Sequence, residues 1–522
     1  MDNDSKSAVK AAGLMMAITL IGKLLGLVRD QFLAGNYSVG MEASAFLTAS
    51  RIPRIFFDVV FASAISASFI PVFNEYMKKK GREEAFRLSN NFITLIGILT
   101  TIITVLGIIF SPQLTQLFAS GFDAETAELC TQLLRILFPA TIFTGIAFCF
   151  VGVLQSMDEF NVPAAMSIAS NLVIIIYYLL FNSRFGIYGL TVAFLIGWAM
   201  QAIIQIPSLL KKGYRYRPYI KINDEGIKKI VLLMLPVMVS TWVQPINLSI
   251  NTKFASGLFN GSGVSAVEYA NTVYSIIVGV FVLSIVNVIF PRLSRMLIDN
   301  ENEGFSKTIS ATIEAMAFLI IPMMVGLMVL SEPVIKLIYQ RGAFDDFALS
   351  ITSRALFFFA LGMPGFGIQS VLSRAFYAQK NGKAPLISGL ISILINIALC
   401  MALTEKFDVG GLAAASAISQ TVAAVLLFIP MQKDNKIINS KMVIEFIKMI
   451  LASVVMAAVV FALKNFMGPY FSSGLVSNII MTAIPTIIGV VIYAFMSAVL
   501  KINEMKTVLS IIYKIIKRGE KT

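Results

Sequence analysis

Histidine is absent from this chain of 522 residues. Its absence removes the commonest zinc ligand and the usual general base near neutral pH. Cysteine is scarce: Cys130, Cys149 and Cys400 all lie in apolar stretches, and their spacing fits no metal motif. They read as small core residues. No P-loop, nucleophile elbow or dinucleotide fingerprint occurs, which argues against an ATPase or a hydrolase. Charge is also sparse, at 14% of residues, against about 25% in an average soluble domain. No enzyme activity, cofactor or metal is expected.

Apolar residues take the place of the missing charge. They make up 57% of the chain, and the mean hydropathy is +0.81. Runs of about 20 apolar residues recur from end to end, the length a helix needs to cross a bilayer. The expected fold class is therefore an all-α polytopic membrane protein. Fourteen spans are expected, at 9–34, 41–76, 88–112, 127–155, 163–182, 186–209, 229–258, 265–293, 307–330, 348–378, 386–404, 409–431, 442–464 and 475–499. The first run is too long for the apolar core of a cleavable signal.

The net charge of +13 is a matter of topology rather than of nucleic-acid binding. Lys78, Lys79, Lys80, Arg82 and Arg87 fall in one loop, and Lys211, Lys212, Arg215, Arg217 and Lys221 in another. Basic loops alternate with loops such as GNYSVG and the acidic GFDAETAE. Basic loops stay cytoplasmic, so both termini are expected there. The stretch 331–346 reads as a short amphipathic helix at the outer interface. The tail 501–522 reads equally as a basic amphipathic helix on the inner leaflet or as a frayed end.

Landmarks recur at long range. FGIYGL at 185–190 returns as FDVGGL at 407–412, and the turn ending on Pro163 returns at Pro385. Pro71 and Pro291 mark a third correspondence. The expected domains are two parallel six-helix lobes, 1–220 and 221–437, then a helix pair at 438–500 and the tail 501–522. Such repeats are typical of transporters, with the site between lobes.

Four cations interrupt the first two spans: Lys23, Arg29, Arg51 and Arg54. Each costs about 2.5–3.5 kcal/mol near a helix centre, roughly 10 kcal/mol together if they faced lipid. A cavity that receives an anionic head group explains them. Helical spacing puts Arg51, Arg54 and Asp58 on one stripe. Lys23 and Asp30 share a face, while Arg29 points elsewhere. The bland readings are an Arg54–Asp58 pair and Arg29 snorkelling to the head groups. The seventh span is polar rather than cationic, with Gln244, Asn247, Asn251 and Lys253, and Glu268 and Asn271 follow. These read either as cavity polar groups or as interhelical hydrogen bonds.

Several stretches carry a resemblance: LLGLVRDQFLAG, RIP followed by ASFIPVFNEY, GVLQSMDEFNVPA, INTKFAS, LIYQRGAF and FYAQKNGKAP. In this order they resemble the MurJ (MviN) lipid II flippases of the MOP superfamily. The resemblance implies fourteen helices in a V-shaped pair of lobes. It implies transport of undecaprenyl-diphosphate-linked disaccharide-pentapeptide, lipid II, from the inner to the outer leaflet of the bacterial plasma membrane. The family's basic positions fall on Lys23, Arg29 and Arg51, and its lipid-tail groove on the last two spans. Ser44, Phe57 and Thr272 stand where the family has charged residues. Asn251 and Cys400 stand where some members have sodium-binding carboxylates, so sodium coupling is not expected.

The expected partners are lipid II, membrane lipids and the cell-wall synthesis machinery, with no nucleic acid and a monomeric chain. Three further readings remain. One is a flippase for another polyprenyl-diphosphate-linked oligosaccharide. The second is a cation-coupled drug antiporter, which would want buried carboxylates where this chain has cations. The third is a scaffold for cell-wall enzymes, which has no use for charges inside the membrane.

Overall fold

The computed structural model describes the backbone of residues 3–471 and 474–505. Within that range it leaves out the side chains of 3–13, 16, 56–63, 66, 236, 239–241, 243–244, 283 and 287. No strand occurs among the described residues. The helices are α1 (Asn3–Tyr37), α2 (Met41–Lys79), α3 (Arg82–Ile109), α4 (Ser111–Phe118), α5 (Ala124–Leu137), α6 (Ala140–Gln155), α7 (Asn161–Ala164), α8 (Met166–Leu180), α9 (Asn182–Ile203) and α10 (Ile206–Lys211). They continue with α11 (Glu225–Thr241), α12 (Val243–Ala255), α13 (Ser262–Ile298), α14 (Asn302–Val329), α15 (Ser331–Tyr339), α16 (Asp346–Ala360), α17 (Met363–Ala378), α18 (Lys383–Asn435), α19 (Ser440–Met467) and α20 (Leu475–Val499).

Eight helices, each taken with any short helix that continues it, are long and apolar enough to cross a membrane, or up to ten spans if each bent pair is one. The bent pairs are α5–α6, at 41°, and α16–α17, at 44°. A proline stands at each bend: Pro139 precedes α6, and Pro364 lies in the first turn of α17. Proline lacks the N–H that would continue the ladder. Pro53 and Pro71 lie inside α2, which runs 39 residues without a break, roughly 58 Å and longer than a bilayer core.

The chain packs as two units, Met1–Ser265 and Ala266–Thr522. The first unit is built on α2, which touches α3, α5, α6 and α11. Its core joins Phe69, Phe73, Phe92, Val153 and Ile230. Opposite ends of this unit differ in charge. At one end Arg87 donates to the Tyr219 hydroxyl, Asn91 bridges both backbone groups of Lys221, and Lys229 pairs with Glu75. At the other end the Gly121 N–H donates to Ser256 Oγ at 3.0 Å. A Cβ on Gly121 would meet the Gly257 backbone at 2.4 Å, so only glycine permits this approach.

In the second unit α14, α19 and α20 share a core of Phe318, Met449, Met456 and Tyr493. The Tyr493 hydroxyl donates to the Phe318 carbonyl at 2.9 Å. The stretch expected to be amphipathic begins with α15, which buries Pro333, Ile335 and Tyr339 and exposes Glu332. Residues 506–522 of the basic tail lie outside the described residues.

Rare backbone conformations recur along the chain. Ser38 and Asn260 both have φ 52°, Asp158 has 58° and Lys380 59°, and Gly186 has 53° and Asp408 50°. The members of each pair are 222 residues apart. Gly186 and Asp408 also share ψ, at −146° and −132°, and each breaks a helix. The packing division at Ser265 lies beyond the repeat boundary expected at 220, because α11 lies along α2.

Candidate functional site

Arg29 lies two turns after Gly22 on α1. A Cβ at Gly22 would stand 2.1 Å from Ser167 Oγ on α8, so glycine brings α1 close to α8 there. Asn171, one turn further along α8, donates to the Gly22 carbonyl at 3.1 Å. Its Oδ1 accepts from Arg29 Nη1 at 3.2 Å. The guanidinium also pairs with Asp30 at 2.7 Å and lies 5.2 Å from the Phe194 ring centre. Both charged side chains are mostly buried. The expectation that Arg29 points away from Asp30 fails, because its long side chain turns back across the 100° between neighbouring residues. It does not snorkel.

Helix α9 supplies the opposite wall. Gly197 lets α9 approach α8, where a Cβ would lie 3.0 Å from the Ser170 carbonyl. Phe194, Trp198 and Gln201 then share one face at helical spacing. The Arg54 guanidinium on α2 sits 6.0 Å from the Trp198 ring centre. A cavity of about 340 Å³ results, lined by Arg29, Arg54, Ser167, Asn171, Phe194, Trp198 and Gln201 among others. Charge, an aromatic face and amides converge on one concave space, as in a binding pocket.

Arg51 goes elsewhere. It donates from Nη1 to Thr252 Oγ1 on α12 at 2.7 Å, and Thr252 is buried. Arg51 and Arg54 thus each touch a different helix, and each has a further interaction besides. The 60° between them is enough to send their side chains to different helices, α12 and α9. Lys23 is exposed and lies outside the cavity. The side chain of Asp58 lies outside the described residues. Asn251 is buried and Lys253 exposed. Asn247 buries an Oδ1 that has no partner among the described residues. Glu268 is half-buried on α13 in the second unit, with an interaction of its own. No group of three or more acidic or cysteine side chains that could hold a metal occurs among the described residues.

Five of the lining residues named here went unpredicted: Ser167, Asn171, Phe194, Trp198 and Gln201. The i, i+4, i+7 spacing on α9 was the available signal. It reads as ordinary packing until Arg29 and Arg54 are placed against it.

The lipid II flippase MurJ family profile matches residues 37–482. A Vibrio cholerae protein described as a probable lipid II flippase MurJ is 31% identical over 435 residues, covering 81% of this chain and 83% of that one. A Rickettsia prowazekii protein of the same description is 28% identical and covers 94% and 97%. A solved lipid II flippase MurJ in an inward closed conformation superposes with a TM-score of 0.79 at 28% identity, covering 93% of this chain and 98% of that one. An inward-facing multidrug transporter of the MOP superfamily shares the fold, with a TM-score of 0.65 at 16% identity. A match over most of the chain, relatives covered nearly end to end and a shared all-helical fold agree: this chain is a member of the lipid II flippase MurJ family.

Proposed function

We propose that the chain carries lipid II from the inner to the outer leaflet of the bacterial plasma membrane by alternating access. The observation that carries this reading is the convergence of Arg29 and Arg54 on one cavity in a chain of this family. A diphosphate carries about two negative charges, and guanidinium forks grip its oxygens by charge-assisted hydrogen bonds. Asp30 offsets part of the charge of Arg29. Arg54 is exposed at the cavity and is the better placed of the two to meet the head group. Arg51 works from the α12 side, and Lys23 guides the approach.

In this reading both termini are cytoplasmic, and the basic end of the first unit faces the cytoplasm. Fourteen spans follow when the two halves of α18 are counted separately and α1, α2 and α11–α12 are added to the ten. The repeats at 1–220 and 221–437 form the two lobes, as the paired backbone conformations support. Helices α19 and α20, at 438–500, hold the lipid tail. The chain acts as a monomer, without catalysis, and supplies the cell-wall synthesis machinery.

The test is depletion of the native protein followed by leaflet-resolved measurement of lipid II. Inner-leaflet accumulation, reversed by the intact chain and not by Arg29→Ala, Arg54→Ala, supports the reading. Full rescue by that double variant overturns the assignment of these cations.

A further inference from the structure

The cavity holds more than cations. The Trp198 indole N–H, the Gln201 carboxamide and the Ser167 hydroxyl have no hydrogen-bond partner among the described residues. All three line the space beside Arg54. Asn171, by contrast, already bonds Arg29 and the Gly22 carbonyl. An acyl chain is a poor occupant, since it would leave three polar groups unsatisfied in an apolar surrounding. A second phosphate is also poor, since the aromatic face offers an anion nothing.

We infer that this cavity is a carbohydrate subsite, in which a pyranose ring linked to the diphosphate lies on the Trp198 face. One face of a pyranose presents C–H groups, and their slight positive charge suits the negative face of an aromatic ring. The ring's edge presents hydroxyl and acylamino groups. Gln201 both donates and accepts, Ser167 does the same, and Trp198 donates. Arg54 lies 6.0 Å from the indole centre, so one group can hold the diphosphate while its neighbour holds the first sugar. Phe194 stays with Arg29 and Phe46, its ring 4.7 Å from that of Phe46, and serves as the floor. The ligand class is a polyprenyl diphosphate bearing an N-acylated hexosamine. The inference rests on the transport reading above and deepens it.

The test uses the full chain in lipid nanodiscs and three ligands: bare polyprenyl diphosphate, the same lipid with a disaccharide, and the disaccharide lipid with its peptide. The native chain should bind the disaccharide lipid more tightly than the bare one. Trp198→Ala and Gln201→Leu should each weaken the disaccharide lipid about tenfold and leave the bare lipid unchanged. Trp198→Phe, which keeps an aromatic face, should restore most of the loss. Arg54→Ala should weaken all three. Equal loss for bare and glycosylated lipid in Trp198→Ala would make the residue structural and overturn the subsite. Loss confined to the peptide-bearing lipid would assign the cavity to peptide instead. Native chain that binds the bare and disaccharide lipids equally also overturns the subsite, with the transport reading intact. Native chain that binds none of the three overturns both.

Discussion

The hydroxyls of Ser44 on α2 and Ser265 on α13 lie 2.5 Å apart, both fully buried. One donates to the other, so each satisfies its neighbour without a charge. Ser44 stands where the family resemblance places an acidic residue. A carboxylate there would need a donor stronger than the Ser265 hydroxyl. The contact belongs to the end of the first unit away from the basic loops, together with Gly121 and Gly257.

If that end must open during transport, a covalent bond between the two positions should stop it. The Ser44→Cys, Ser265→Cys double variant is expected to oxidise readily, given the hydroxyl distance. Oxidation should abolish flipping and reduction should restore it. Transport that persists with the cross-link verified by mass spectrometry would show that this contact stays closed throughout the cycle.

Removing the Arg54 guanidinium should cost binding of the diphosphate about 1.5–3 kcal/mol, the worth of a hydrogen bond to a charged group. Arg54→Lys keeps the charge and loses the planar fork, so an intermediate affinity is expected. Titration of bare polyprenyl diphosphate reads both. Equal affinity in all three proteins would remove Arg54 from the site.

Arg51 is expected to behave otherwise, because it reaches α12 through Thr252. Arg51→Ala should abolish flipping while the protein still inserts. Thr252→Val removes one acceptor and should slow transport by roughly the worth of a single hydrogen bond, about 1 kcal/mol, with head-group affinity unchanged. A large fall in affinity for Thr252→Val would place Arg51 in the binding site itself.

Asp408 occupies a backbone region that is close to glycine-only, while its repeat counterpart at position 186 is glycine. Asp408→Gly should relieve up to about 1–3 kcal/mol of strain. It also gives up the partly exposed pair with Arg354 at 3.3 Å, which contributes about 0–1 kcal/mol. Thermal unfolding in detergent should therefore shift upward. Gly186→Ala should shift it downward. A lower midpoint for Asp408→Gly would mean that the carboxylate is worth more than its strained backbone costs.

Topology is checked by labelling. Cysteines at Ser38 and Ser262 should react with an impermeant thiol reagent applied outside the cell, and one at Ser440 should not. The reverse pattern would invert the chain in the membrane.

The amino-acid order alone determined the class and the punctuation. Apolar runs of spanning length leave a chain no alternative to helices that satisfy their own backbone. FGIYGL and FDVGGL already marked the repeat, and within them Gly186 and Asp408 share a positive φ. These are local properties, and local sequence carries them. The partners of Arg29, Arg51 and Arg54 were not legible. A guanidinium on a flexible stem reaches any helix that packs nearby, and only packing decides which one. Gly22 and Gly197 draw α1 and α9 onto α8 and bring Asn171 and Trp198 to the cations. The tertiary structure thus gave two cations of one stripe contacts on different helices. Arg54 stands at a cavity with an aromatic wall, and Arg51 crosses to α12.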